Sequence, residues 1–207
     1  GSPQQLVVVV AAQACMLLLY IAPPDRPDLA LAWYDGFVGI VLHPGLVRAI
    51  REWEDESGVA HRGKEELSGE VLEGGPLTLA WSDVLPEHDQ GVAYNVVIHE
   101  FAHVMDLRDG CADGCPPMAS SQRADWLRVL GEEFALFRQQ SQEWERFGGA
   151  SGVSKPLLDD YGAVSQDEFF AVAVEAYIVC RAAFAQHHPA LFALFDAFFD
   201  PFQRRTT

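Results

Sequence analysis

The chain has 207 residues, 49% of them hydrophobic and 11% aromatic, so it can bury the core of one ordinary domain. This composition excludes disorder throughout the chain. Lysine and arginine number 14 against 30 aspartates and glutamates, which gives a formal net charge of -16. Because this charge repels nucleic-acid phosphates and anionic lipids, we expect neither nucleic acid nor membrane among the partners.

Cysteine usage indicates a reducing compartment. The chain has 4 cysteines, which are too few and too scattered for a fold stapled by disulfide bonds. We therefore expect a cytoplasmic protein. The pair Cys111 and Cys115 could bind a soft metal, but without a second pair we interpret them as free loop thiols.

The start of the chain is its most hydrophobic part. Residues 6–20 are interrupted by Gln13 and fall short of the roughly 20 apolar residues that a membrane helix needs. No basic leader precedes them, so we do not interpret them as a signal peptide. Gly1 and Ser2 resemble the scar of a protease cleavage, and we expect the natural chain to begin further upstream.

The first third of the chain predicts one helix and one strand. Residues 6–20 are apolar on nearly every side, which is typical of a buried helix. Residues 33–42 are rich in aromatic and β-branched side chains and end at a His-Pro pair, so we expect a strand. Residues 51–70 are highly charged and lack apolar periodicity, which predicts an exposed excursion.

A small sheet is predicted next. Residues 70–73 and 76–81 have the composition of two strands joined by a glycine turn, which brings the sheet to about three strands. The second of these strands is our candidate for a free edge that pairs with an extended peptide. After a loop, Asn95 is a suitable cap for a helix that ends near Gly110.

The last part of the chain predicts helices. Residues 121–147 place apolar side chains at three- and four-residue steps, as on one face of a helix that packs against a core. Residues 165–185 and 189–202 predict two more helices. We therefore expect a single α+β domain over residues 1–207, mostly helical, with the small sheet beside the helix that follows Asn95.

That helix carries the motif HExxH, at residues 99–103. His99 and His103 are four residues apart, so their imidazoles project from the same helix face and can reach one metal ion. Glu100 lies beside that position, where a carboxylate can take a proton from water. The pattern indicates one zinc ion, and a catalytic zinc needs a third protein ligand from elsewhere.

Two downstream carboxylates compete to be this third ligand. Glu168 and Glu175 are seven residues apart on one apolar helix and so share a face. Glu168 also completes a capping box with Ser165, and this role would explain a glutamate at that position without any metal. Glu175 lies in mid-helix, where it would be either the ligand or a carboxylate that orients a ligating histidine.

Several motifs occur together in a fixed order: AAQACMLLL at 11–19, WYDG at 33–36, LAWSDVL at 79–85, NVVIHEFAH at 95–103 with Met105 and Asp106, and Tyr161 before EFFAV at 168–172 and Glu175. Together they resemble the Mlc titration factor A family of zinc metallopeptidases, over most of the chain. The spacing from Tyr161 to Glu168 is more distantly similar to the catalytic domain of anthrax lethal factor.

The resemblance implies a zincin-like metallopeptidase fold and a role for each residue that matches the motifs. It makes His99, His103 and Glu168 the zinc ligands and so favours Glu168 over Glu175. It makes Glu100 the general base and Tyr161 the hydroxyl that faces the developing oxyanion. Chains of this family usually have more sequence before the AAQAC helix than this one has.

Asp106, seven residues after His99 on the same face, is a candidate for a hydrogen bond to a ligating imidazole. The resulting hypothesis is a zinc-dependent peptidase that acts on a peptide or protein substrate. The alternative is a zinc-bearing module that binds and sequesters a transcriptional repressor, as the family name implies. A third possibility is that HExxH occurs here by chance on an ordinary core helix.

Overall fold

The structure is a computed structural model that describes residues 3–43, 47–54, 60–67, 69–71, 75–84, 94–152 and 154–202. Helices make up most of this described part. The α-helices are α1 (Pro3–Met16), α2 (Pro27–Leu31), α3 (Trp81–Val84), α4 (Val96–Asp106), α5 (Ser120–Phe147), α6 (Gln166–Val179), α7 (Arg181–His187) and α8 (Pro189–Phe199). Short 3-10 turns cover Ala32–Tyr34, Leu107–Asp109, Gly148–Ser151 and Asp160–Ala163.

The strands form two separate sheets. They are β1 (Ile40–His43), β2 (Val47–Glu54), β3 (Ala60–Leu67), β4 (Gly69–Val71) and β5 (Leu77–Ala80). In one sheet the order is β1, β5, β4, with β1 parallel and β4 antiparallel to β5. The strands β2 and β3 pair with each other in an antiparallel ladder. Both β4 and β5 contact α4.

The position of β5 corrects one prediction. We expected residues 76–81 to offer a free edge, but β5 lies between β1 and β4 and pairs with both. Its backbone groups are therefore engaged on both sides. The prediction failed because strand order depends on pairing between distant segments, which composition does not encode. The antiparallel pairing of β4 with β5 is as predicted, while the predicted turn at Gly74 lies outside the described residues.

The helices α4 and α6 lie at the centre of the core. Val97, Ile98, Ala102 and Met105 of α4 have no accessible surface. Every residue of α6 from Phe169 to Tyr177 is buried, because this helix is apolar all round and other elements cover it on every side. The aromatic face of α5 is buried as predicted at Trp126, Leu130 and Phe137.

The structure differs from two further predictions and adds detail to a third. The strand expected over residues 33–42 begins only at Ile40, because a 3-10 turn and Gly36, with a φ of 87°, precede it. Residues 51–70, which we expected to form an exposed excursion, include the end of β2 and all of β3. A backbone ladder of this kind needs no apolar periodicity. The helix expected over residues 165–185 breaks at Cys180, whose φ of -130° and ψ of 48° are not helical.

The first helix is less buried than expected. Leu6 and Val10 belong to the core, whereas Val7 and Val8 on the opposite face are exposed. No helix in the described part of the chain combines the length and the apolar composition that a membrane crossing requires.

Candidate metal centre

The helix α4 positions the two histidines of the HExxH motif. Its N-terminus is capped as predicted, because the side-chain oxygen of Asn95 accepts a hydrogen bond from the Ile98 amide at 3.0 Å. A 3-10 turn follows α4 and ends at Gly110, whose φ of 83° is left-handed. Between these ends His99 and His103 project towards α6, and their side chains are 11% and 13% exposed.

The structure brings three predicted site residues together. Nε2 of His99 lies 3.0 Å from Oε2 of Glu168, and Nε2 of His103 lies 3.3 Å from the same oxygen. The two Nε2 atoms are 3.2 Å apart. Within the described residues this is the group of ligand atoms found close enough together to hold a metal ion.

The carboxylate of Glu168 points at the imidazoles and does not take part in a helix cap. The Ser165 side chain makes no capping hydrogen bond, so the capping-box interpretation is wrong. Burial opposes ionisation of Glu168, but hydrogen bonds with His103 and His99 outweigh it and hold the pKa of this carboxyl far below its usual range. Glu168 is therefore an anion that faces the two rings.

Glu175 lies behind the first histidine. Its Oε1 atom is 2.7 Å from Nδ1 of His99, and its Oε2 atom accepts the Asn95 amide at 2.5 Å. With Nδ1–H donated to Glu175, a neutral His99 keeps its Nε2 lone pair directed at Glu168. Two acceptors at 3.0 Å repel each other unless a proton or a metal ion lies between them.

The same contacts control the protonation of His99. Burial lowers its pKa, but hydrogen bonds with Glu168 and Glu175 outweigh burial and raise the pKa to about 10. Without a metal, a proton occupies the space between the ring and Glu168 at neutral pH. The arrangement can exchange this proton for a metal cation.

Glu100 lies next to this cluster and is almost completely buried. Its residue surface is only 6% exposed. Burial raises the pKa of Glu100, although the positive charges of His99 and His103 partly oppose the rise. A carboxylate with a raised pKa beside two imidazoles can accept and return a proton near neutral pH.

Tyr161 lies at the exposed side of the cluster. Its hydroxyl donates to Oε1 of Glu168 at 3.2 Å, and its residue surface is 37% exposed. A 3-10 turn carries this tyrosine, and the side chain of Asp159 caps the turn by accepting the Tyr161 amide at 2.9 Å. Sequence reasoning missed Asp159, although an aspartate two residues before a functional side chain is a known turn signal.

Asp106 is buried at the end of α4, and its described hydrogen bonds do not include either imidazole. Its Oδ2 atom accepts the Gly114 amide at 2.9 Å. Its Oδ1 atom has no hydrogen-bond partner among the described residues. The structure thus links Asp106 to the loop after α4.

Comparison with known proteins agrees with this geometry. The profile of the family described as glucose-regulated metallo-peptidase M90 matches residues 3–200. The chain belongs to this family. Its relatives in the family include proteins named Mlc titration factor A, so the resemblance predicted from the sequence motifs is confirmed.

The curated relatives align over nearly the whole chain. Mlc titration factor A of Edwardsiella ictaluri (strain 93-146) is 33% identical over 97% of this chain and 74% of its own length. The proteins of that name from Yersinia pestis (strain Pestoides F) and Yersinia pseudotuberculosis serotype O:1b (strain IP 31758) are each 31% identical, over 97% of this chain and 72% of their own length. Membership of the M90 family supports a metallopeptidase-like domain that holds a metal.

Proposed function

We propose that this M90 family member is a zinc-dependent peptidase that hydrolyses peptide bonds in a peptide or protein substrate. The observation that carries the proposal is the convergence of His99, His103 and Glu168 beside the buried Glu100. The three candidate ligand atoms, Nε2 of His99, Nε2 of His103 and Oε2 of Glu168, lie 3.0 to 3.3 Å from one another, which supports zinc. Tetrahedral bonds of the usual zinc–nitrogen length place neighbouring ligands about 3.3 Å apart.

A bound zinc ion supplies a Lewis acid that activates water and polarises the carbonyl of the scissile bond. The chain's own residues then move the protons. Glu100 accepts a proton from the attacking water, since its raised pKa suits a base that works near neutral pH. The same carboxyl returns the proton to the leaving amine. Glu175 keeps the His99 ring in the orientation that directs Nε2 into the site.

We assign Tyr161 the stabilisation of negative charge on the substrate. Its hydroxyl is a donor at the exposed side of the cluster, where a substrate carbonyl can approach. A hydrogen bond that strengthens as the oxygen becomes negative lowers the barrier of the reaction. The hydroxyl then exchanges its contact with Glu168 for one with the substrate oxygen.

We assign β4 as the strand of this protein that pairs with the substrate backbone. Within the described strands, β4 ends the order β1, β5, β4, and it contacts α4. A terminal strand offers unpaired amide and carbonyl groups to an extended peptide. We therefore infer that the substrate backbone lies along β4 and passes the metal centre.

Two measurements test the proposed function. Metal analysis of the purified protein should find about one zinc ion per chain. The parent should cleave a peptide library, and Glu100→Gln should retain zinc while turnover falls by about 10²- to 10⁴-fold. The matched control is Glu145→Gln on the exposed surface of α5, which should cleave like the parent.

A parent without bound metal, or a Glu100→Gln protein as active as the parent, overturns the peptidase proposal. The second candidate function is regulatory. The relatives' name, Mlc titration factor A, refers to a protein called Mlc, and a transcriptional repressor of that kind is the partner to test. Capture of that repressor by both parent and Glu100→Gln, with no peptide cleavage by the parent, would favour this candidate.

A further inference from the structure

The helices α4 and α6 run antiparallel and are connected by contacts on both sides of the metal centre. Asn95, at the start of α4, lies against Glu175 in the second half of α6. At the other end, Asp106 of α4 connects through Gly114 to the first turn of α6. The candidate ligands His103 and Glu168 lie between these two sets of contacts.

Gly114 fills a space in which no side chain fits. A Cβ atom added there would lie 2.7 Å from Cδ2 of Leu130, 2.9 Å from the carbonyl oxygen of Gln166 and 3.0 Å from Cβ of Phe170. Its φ of 73° is also left-handed, which favours glycine. The Gly114 carbonyl accepts Nε1–H of Trp126 at 2.8 Å. One loop residue thus accepts a hydrogen bond from α5 and leaves no room for a side chain against the first turn of α6.

Asp106 attaches this residue to α4. It has no accessible surface, and its Oδ2 atom accepts the Gly114 amide at 2.9 Å. A carboxylate is costly to bury without a compensating partner. The peptidase mechanism assigns no proton transfer or ligand bond to Asp106, so its burial requires another explanation.

We propose that Asp106 and Gly114 are positioning residues that set the separation of His103 from Glu168. Asp106 lies three residues after His103. Gln166, whose carbonyl oxygen would lie 2.9 Å from a Cβ atom added at Gly114, lies two residues before Glu168. A shift of the Gln166 backbone therefore moves the Glu168 carboxylate relative to the two imidazoles. This inference rests on the proposed metal site and adds the residues that hold its geometry.

The test measures metal binding to the folded protein. Gly114→Ala and Asp106→Ala should each weaken zinc affinity by about 10- to 100-fold in competition with a chromophoric chelator. Both should also change the visible absorption bands of bound cobalt(II), which report coordination geometry. Asp106→Asn keeps an oxygen acceptor for the Gly114 amide, so it should bind zinc within about threefold of the parent.

Trp126→Phe provides a milder variant if the others do not fold. It removes the donor to the Gly114 carbonyl and keeps an aromatic ring, so it should weaken zinc binding by a smaller factor. The control is Leu191→Ala, a change of a fully buried residue on α8 that should lower thermal stability and leave zinc affinity and the cobalt spectrum unchanged.

The outcomes separate this inference from the proposed function. A parent that binds zinc, together with folded Gly114→Ala and Trp126→Phe proteins that bind it as tightly and give the parental cobalt spectrum, overturns the positioning role alone. A loss of zinc affinity in Leu191→Ala equal to that in Gly114→Ala would also overturn the positioning role, because lower stability alone would then explain the weaker zinc binding. A parent that binds no zinc overturns both.

Discussion

Nδ1 of His99 lies 2.7 Å from Oε1 of Glu175, a residue 76 positions later in the chain. The second oxygen of the same carboxylate accepts the Asn95 amide at the start of α4. One buried side chain therefore fixes both the ring orientation of His99 and the beginning of the helix that carries it. This contact gives Glu175 a measurable role distinct from that of Glu168.

Glu175→Gln should weaken zinc binding. Glutamine offers one oxygen acceptor, whereas Glu175 accepts from both His99 and Asn95, so the amide group must face one of these donors. We expect zinc affinity to fall by about 10- to 100-fold. Competition with a chromophoric chelator at fixed pH measures the change.

The matched control is Glu133→Gln. Oε2 of Glu133 lies 3.0 Å from Nδ1 of His188, which reproduces the carboxylate–imidazole pair outside the metal centre. This variant should lose stability and keep the parental zinc affinity. Parental zinc affinity in Glu175→Gln would show that the contact does not orient the ligand.

Tyr161→Phe should lower turnover without removing the metal. It deletes the hydroxyl near Glu168 and keeps the ring. We expect kcat to fall by about 10²- to 10³-fold with the zinc content unchanged, as for the loss of one donor to an oxyanion. Tyr20→Phe, which changes another exposed tyrosine, is the control. A parental kcat in Tyr161→Phe would exclude the hydroxyl from the reaction.

Zinc binding should release a proton from His99. The pKa of His99 is raised to about 10 in the metal-free protein, so this ring is protonated at pH 8, where an ordinary imidazole is neutral. Each zinc ion should displace about one proton from His99, and affinity should fall as the pH is lowered. Calorimetry in two buffers of different ionisation enthalpy counts the protons. A count near zero at pH 8 would contradict the raised pKa.

Gly162→Ala should disturb the turn that carries Tyr161. The added Cβ atom would lie 3.3 Å from Cβ of Val172 and 3.4 Å from Cε1 of Phe137, so either the turn or these buried neighbours must move by a few tenths of an ångström. We expect a lower kcat at parental zinc affinity, and a loss of about 1–3 kcal/mol in the free energy of unfolding. Steady-state kinetics and denaturant unfolding measure the two effects.

Gly131→Ala is the control for this change. Its Cβ atom would lie 3.4 Å from Nε2 of Gln166, the end of a flexible side chain, in the interior of α5. Helix propensity should therefore stabilise the protein by about 1 kcal/mol, with no change in kcat. Equal kcat values for the two variants would show that the tight packing of Gly162 does not position Tyr161.

Local signals in the sequence predicted the elements that carry the site. Asn95 caps α4, and Gly110 ends the 3-10 turn that follows it, because both functions depend on the residue itself and its immediate neighbours. Strands were predicted less well. The charged β2 and β3 lack apolar periodicity, and the central position of β5 depends on partners from distant parts of the chain.

The sequence alone predicted that His99 and His103 share one helix face, and it offered Glu168 and Glu175 of a later apolar helix as candidates for the third ligand. Spacing could not separate Glu168 from Glu175, because both lie on the same face of α6, and only the resemblance to a known family favoured Glu168. The tertiary structure shows where each carboxylate lies. The antiparallel packing of α6 against α4 places Oε2 of Glu168 within 3.3 Å of both Nε2 atoms, and it places Oε1 of Glu175 at Nδ1 of His99. Spacing along one helix cannot specify which turn of a second helix faces it, since that depends on the packing between them.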